Sequence, residues 1–271
     1  MSMLRIGTVQ MECRPGDWKH NLDTASRLIE KGRTGGAGIV LLPELFNTGF
    51  LMDQDFARVA GEAYEATVTA LSGLATGLQL TIVAGIPVPR ANKPLNGAML
   101  FKPGGIIKTG GKLHLCRTGS DEAEYSCAAD ELLSFELEEA RIGVLVCYDV
   151  AFPEAARILA LGGANIIFVL AAWNISERSY VYELSTLSRA LENGVWLVSS
   201  NQTGGTAGNL FLGASRFVTP NGLVLAEMKR EEGVLVKEID PGYSEKLLAR
   251  GETYPFLKDR LPEKYGRLCG R

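Results

Sequence analysis

Residues 141–157 read RIGVLVCYDVAFPEAAR, and the change of pattern inside them decides the fold class. RIGVLV is a short apolar run of strand length, and Cys147 and Asp149 follow it at a polar turn. Pro153 stands where a helix begins, because the first helical position needs no N–H donor, and Glu154 places a carboxylate in the first turn, where the macrodipole favours it. Gly162 and Gly163 stop that helix before a second apolar strand, NIIFVLAA. Strand, helix and strand in succession predict an α/β protein rather than an all-helical or all-β one.

The alternation continues in both directions. Towards the C-terminus, a helix is expected over about residues 177–192, closed by Asn193-Gly194, followed by the strand VWLVSSN and a hairpin turn at Asn221-Gly222. Towards the N-terminus, LRIGTVQME reads as a strand. Asp17 then reads as the N-cap of a helix whose apolar positions, Trp18, Leu22, Ala25, Leu28 and Ile29, recur at helical spacing up to Gly32. GIVLLPE is a buried strand ending at Glu44, residues 64–78 are helical, and TIVAGIPV is a strand closed by Pro87 and Pro89. NGAMLFKPGGIIKTGGKLHL holds two short strands around a Pro-Gly-Gly turn. With no internal repeat, low-complexity tract or linker, residues 1–271 are expected to form a single domain.

Composition narrows the function classes. The 271 residues are 46% hydrophobic and 22% charged, as in ordinary globular chains, and the net charge of -3 with scattered basic residues leaves no stripe for nucleic acid or an anionic membrane. No segment approaches the roughly 18 apolar residues of a membrane span, and MSMLRIGTVQ lacks the features of a signal peptide, so a cytoplasmic location is expected. Five cysteines without a C-x-x-C pair argue against a disulfide framework or a zinc site, and only His20 and His114 are present, too few for a histidine-rich metal cluster. Chemistry here must rest on carboxylates, lysines and thiols, with no metal.

Three polar residues stand at or beside strand ends: Glu44 after LLP, Lys112 between IIKTG and LHL, and Cys147 after RIGVLV. Ligands of α/β sheets bind beyond the carboxyl ends of strands, where such residues can converge although distant in sequence. Together they suffice for attack on an amide-like carbon. A thiol needs a base to become a nucleophile, which Glu44 can be, and the same acid can protonate a departing amine. Lys112 and the backbone N–H after Cys147 can hold an oxyanion, worth about 3 to 4 kcal/mol per donor. Each also has a plainer reading: a strand-end cysteine fills a core, Pro-Glu makes a solvated turn, and a lysine among glycines is a surface charge. A thiol hydrolase pairing Cys147 with His114 is a further alternative.

In their local contexts the three resemble the nitrilase superfamily of carbon-nitrogen hydrolases. LLPELFNTGF is similar to the family's block with the general base, at Glu44; GGKLHL to the block with the lysine, at Lys112; and VLVCYDVAFPEAAR to the block with the nucleophile, at Cys147. Similarities from GDWKHNLDTA through SRALENGVWLVSSNQTG to LPEKYG extend this over most of the chain. The resemblance implies a four-layer α-β-β-α sandwich, a homodimer or higher homo-oligomer, a thioester intermediate, and no cofactor. It also implies a second glutamate after the lysine block. In RTGSDEAEYSCAAD the best match is Glu122, with Glu124 and Asp121 as neighbours that also fit. By the same resemblance Tyr148 supplies the backbone donor beside Cys147, and Trp173 either borders the substrate pocket or anchors the core. Arg189, Glu192 and Asn193 of SRALENG read as structural. Gly111 and Cys116 depart from the family pattern, which often has an arginine and an aromatic there.

The residues after the cysteine, Tyr148 and Asp149, resemble the amidase-like branches. The expected reaction is hydrolysis of a small non-peptide amide to a carboxylate and ammonia. A carbamoyl-amide hydrolase with the same residues and a catalytically silent binding protein with the same fold are the alternatives, and pocket differences of a few kcal/mol separate the first pair.

Overall fold

In the computed structural model, which describes residues 3–117, 120–137, 140–206 and 209–269, the alternation expected from the sequence is present. β1 (Leu4–Glu12) leads through α1 (Trp18–Thr34), β2 (Ile39–Leu42) and α2 (Phe56–Leu78) to β3 (Thr81–Val88), β4 (Leu95–Lys102) and β5 (Gly105–Gly111). The one-turn helix α3 (Glu122–Tyr125) precedes β6 (Ser134–Leu137), β7 (Ala140–Val146), a 3-10 turn over Cys147–Ala151, α4 (Pro153–Leu161), β8 (Ile166–Ala171), α5 (Ser179–Asn193) and β9 (Trp196–Thr203). The paired strands β10 (Gly205–Thr206) and β11 (Asn209–Leu210), then β12 (Arg216–Val218), β13 (Val224–Glu227), β14 (Gly233–Ile239) and α6 (Tyr243–Ala249) follow.

The local signals act as their chemistry requires. Asp17 Oδ1 accepts the His20 backbone N–H at 3.2 Å and caps α1, which runs two residues past Gly32 to Thr34. Gly194 closes α5 in the left-handed conformation, with φ 60°. α2 starts at Phe56, two turns before the expected residue 64, because Phe56, Val59, Ala60 and Ala63 carry the buried stripe backwards in phase. β14 and α6 have no counterpart in the sequence reading. β14 takes its place by pairing antiparallel with β1, from Leu4↔Ile239 to Gln10↔Gly233.

That pairing shapes the whole molecule. β14 occupies β1 up to Gln10, so only Met11 and Glu12 are left to pair with Gln202 and Thr203 of β9. The strand order β5-β4-β3-β2-β1-β9-β8-β7-β6 is therefore hinged at one corner, and its halves fold face to face, β2 and β3 against β8 and β4 against β7. Side chains alternate across each strand. Ile39, Leu41, Val83 and Leu100 point inward to join Val144, Ile166, Phe168 and Leu170 in the core between the sheets. Val40, Leu42, Ile82 and Ala84 point outward to Leu22, Leu28, Ile29, Leu71 and Ala75 of α1 and α2. α4 packs on β7 and α5 on β9 at the far side, which gives helices, sheet, sheet and helices as four layers. β1, β2 and β3 are parallel, as are β7, β8 and β9. Their carboxyl ends supply the loops that carry the polar residues.

Candidate active site

Glu44 lies two residues beyond β2, in a tight turn where Leu45 has φ 49°. The turn lies directly on β3: a Cβ added at Gly85 would come within 2.5 Å of the Glu44 Cα and 2.6 Å of the Pro43 carbonyl oxygen, so only glycine fits there. Gly85 O accepts the Phe46 N–H at 3.0 Å, and Gln202 Nε2 donates to Glu44 O at 2.8 Å. The Glu44 carboxyl is wholly buried. Its Oε1 accepts from Lys112 Nζ at 2.8 Å and Asn96 Nδ2 at 2.7 Å, and its Oε2 from the Ala172 N–H just past β8 at 2.9 Å.

Lys112 follows β5, and its backbone N–H donates to Asn96 O at 2.9 Å. The glycine before it is explained by the same contact, since a Cβ at Gly111 would sit 2.7 Å from that carbonyl oxygen. The Lys112 ammonium, 1% exposed, also reaches both Glu122 oxygens at 2.8 Å. Burial by itself lowers the pKa of an ammonium, but Glu44 and then Glu122 more than offset it and hold Lys112 well above its ordinary range. Glu122, the first residue of α3, is wholly buried and also accepts from Asn96 Nδ2 at 2.6 Å and the Cys116 N–H at 2.7 Å. Of the three acids that the sequence offers here, Glu122 is the one placed on Lys112 and Asn96 among the described residues.

Cys147 begins the 3-10 turn directly after β7, with φ 47°, a backbone conformation unusual for a residue with a side chain. Two side chains, Asp149 and Arg189, hold the turn. Asp149 folds back so that Oδ2 accepts the Val146 N–H at 3.2 Å and the Leu113 N–H at 3.3 Å, while Oδ1 accepts His114 N–H at 2.9 Å and meets His114 Nδ1 at 2.8 Å. Arg189 reaches from α5 to donate through Nε to Val150 O at 3.0 Å and pairs with Glu192. SRALENG, expected to be structural, thus braces the turn that carries the cysteine. Burial and then the Glu44 charge push the Cys147 thiol well above its ordinary range, against the pull of Lys112 and the Ala172 N–H.

Tyr148 is half-buried in the same turn with its ring edge-on to Phe152, centroids 5.1 Å apart. Trp173, half-buried beyond β8, donates its backbone N–H to Asn201 Oδ1 at 2.8 Å and lies 5.5 Å from the Tyr182 ring. His114 is stacked on Phe152 at 3.8 Å and directs Nδ1 to Asp149, so the cysteine-histidine alternative has no geometric support. Cys13 is buried, and burial pushes its thiol well up; Cys116 and Cys127 are half-buried, while the Cys269 side chain lies outside the described residues. No group of three or more metal-ligating side chains occurs among the described residues.

Sequence reasoning missed Asn96, Asp149 and the Ala172 N–H. Asn96 gave one signal, an asparagine at the start of an apolar strand, where strands disfavour it. Asp149 marks the amidase-like branch in the sequence, but nothing local shows that it braces the turn against the Lys112 loop.

The model of the family described as carbon-nitrogen hydrolase matches residues 5–247. The chain is 34% identical to a 2-oxoglutaramate amidase of Bacillus subtilis, covering 96% of this chain and 98% of that protein. It is 32% identical to a probable nitrilase of Schizosaccharomyces pombe, covering 97% of each. It superposes with TM-score 0.86 and 29% identity on an amidase from Nesterenkonia sp. AN1, over 97% of this chain and 96% of that one; that variant carries the acetamide moiety of fluoroacetamide covalently added at its active-site cysteine. A match that takes in all four layers and every loop of the buried cluster leaves one conclusion: this chain belongs to the carbon-nitrogen hydrolase family.

Proposed function

We propose that the protein hydrolyses a small non-peptide amide to a carboxylate and ammonia through a thioester on Cys147. The observation that carries the reading is the buried Glu44, Lys112 and Glu122 cluster at the strand ends where Cys147 also emerges. In this reading the resting thiol is protonated, because burial and the adjacent Glu44 charge disfavour a thiolate. Glu44 takes the proton as sulfur attacks the carbonyl carbon. Oε1 is already occupied by two donors and Oε2 by one, so Oε2 is the accepting atom. Lys112 directs one N–H to Glu44 and, in this reading, shares a second between the two Glu122 oxygens, so that its third donor serves the oxyanion beside the Tyr148 N–H. Glu44 then protonates the departing nitrogen, which leaves as ammonia. A water replaces it, gives its proton to Glu44 and attacks the thioester; collapse releases the carboxylate and returns the proton to sulfur. Trp173 borders the substrate in this reading, and no cofactor takes part.

The proposal extends to a single catalytic domain, a cytoplasmic location and a homodimer. Supporting the first two, the family match runs through both sheets, and among the described residues no helix is long and apolar enough to cross a membrane. Supporting the third, Ile158 and Leu161 of α4 and Leu184 and Leu191 of α5 are large exposed apolar side chains on neighbouring helices. A monomer in sedimentation would refute the dimer.

The deciding experiment is ammonia release from short aliphatic amides, ω-amides of dicarboxylic acids, carbamoyl amines and nitriles, run beside Cys147→Ala. Amide-dependent release that disappears in Cys147→Ala is expected. Preference for carbamoyl amines or nitriles would replace the amidase reading, and silence over the whole panel would favour the binding protein.

A further inference from the structure

We propose that Asn96 is a positioning residue of this site, holding Glu44 and Glu122 together on Lys112 so that only one oxygen of Glu44 remains to exchange a proton with Cys147. The inference rests on the amidase reading above and deepens it.

Asn96 is the second residue of β4 and has no exposed surface. Its side-chain nitrogen donates to Glu44 Oε1 at 2.7 Å and to Glu122 Oε1 at 2.6 Å, the same two oxygens that Lys112 Nζ reaches at 2.8 Å. Its carbonyl oxygen anchors the Lys112 backbone at 2.9 Å. One residue therefore fixes the lysine through the main chain and both glutamates through the side chain. The orientation of the amide follows from charge: reversed, it would turn its carbonyl oxygen on two carboxyl oxygens.

An asparagine that only completed a strand would give its donors to backbone carbonyls. Both donors here go to acids, and Oδ1 has no hydrogen-bond partner among the described residues. The consequence lies at Glu44. Two carboxyl oxygens drawn to one ammonium repel each other, and the neutral donor between them lets both stay. With Nζ and Nδ2 on Oε1, the remaining oxygen, Oε2, shares the Ala172 N–H with the Cys147 side.

Two variants test this, Asn96→Ala and the similarly sized Asn96→Leu, which fills the space but removes the donors without adding a charge. Loss of charge-assisted hydrogen bonds of this kind predicts a kcat fall of about 10- to 100-fold, with KM within about threefold because Asn96 is not placed against substrate. Alkylation of Cys147 by iodoacetamide, resolved from the other cysteines by mass spectrometry, is expected to slow by about tenfold while that of Cys127 is unchanged. A folded variant whose kcat stays within about threefold of wild type, or whose loss lies wholly in KM, overturns the proposal. If Asn96→Ala fails to fold, Asn96→Leu decides. If the wild-type protein hydrolyses no amide, the reaction reading fails by itself, and the alkylation rate alone decides for Asn96: an unchanged rate at Cys147 in Asn96→Leu refutes it.

Discussion

Asp149 joins the turn of Cys147 to the loop of Lys112, and replacing it should loosen both at once. Its carboxyl is buried and takes four contacts, two on each oxygen. Asp149→Asn can keep its oxygen where the shorter pair to His114 lies, at 2.9 and 2.8 Å, and then sets an NH2 against the Val146 and Leu113 N–H groups, now at 3.2 and 3.3 Å. Two buried donors left facing a donor cost about 1 to 3 kcal/mol each. The charge of Asp149 is itself expensive: burial pushes its carboxyl up, against the His114 hydrogen bonds and Lys112. Removing that charge refunds part of the loss, which sets Asp149→Asn at about 2 kcal/mol. Asp149→Ala abandons all four contacts, and about 4 kcal/mol follows from the same values. For a chain of this size each kcal/mol lowers Tm by about 2 to 4 °C, so drops of about 4 to 8 °C and 8 to 16 °C are expected. Displacing Cys147 relative to Lys112 by about 1 Å predicts a kcat loss of about 100-fold in the alanine variant. Thermal melts and turnover of the best amide measure both effects. An alanine variant that melts and turns over like the wild type would refute the brace, and an asparagine variant worse than the alanine would refute the contact-by-contact reasoning.

Gly85→Ala should cut turnover sharply, because its Cβ would meet the Glu44 backbone at 2.5 Å and displace the proposed base; an overpacking cost of about 1 to 3 kcal/mol is also expected, and full activity would show that the turn can yield. Cys147 should remain a thiol through neutral pH, since burial and Glu44 raise it well above its ordinary range. Subtracting the ultraviolet absorbance of Cys147→Ala from that of the wild type should show no thiolate between about pH 6 and 8, and a thiolate band there would exclude the general-base step. The same shift has a defined sign for stability. The folded chain keeps a proton that the unfolded chain gives up near the ordinary thiol range, so the stability contributed by Cys147 falls as pH rises through that range, and Cys147→Ala should lack that decline.

Local chemistry alone determined the α/β class, most strands, the caps at Asp17 and Gly194, and the places where Glu44, Lys112 and Cys147 leave their strands. Each rests on neighbours in the chain: an apolar period, a capping side chain, a proline at the first position of a helix. The four layers came only as an implication of family resemblance, because nothing local records that β14 covers β1 and forces the sheets to hinge at Met11 and Glu12. The same limit applies inside the site. Glu122 was one of three acids in a loose stretch until burial and the Lys112 ammonium distinguished it, and Asn96 is 52 residues from Glu44 yet within 2.7 Å of its carboxyl. Arg189 reads as helix chemistry until its guanidinium is seen under the Val150 carbonyl. Sequence records which chemical groups a chain carries and which local geometry each residue prefers; which groups share a dry interior, and so which charges must answer one another, is decided only when the sheets close over them.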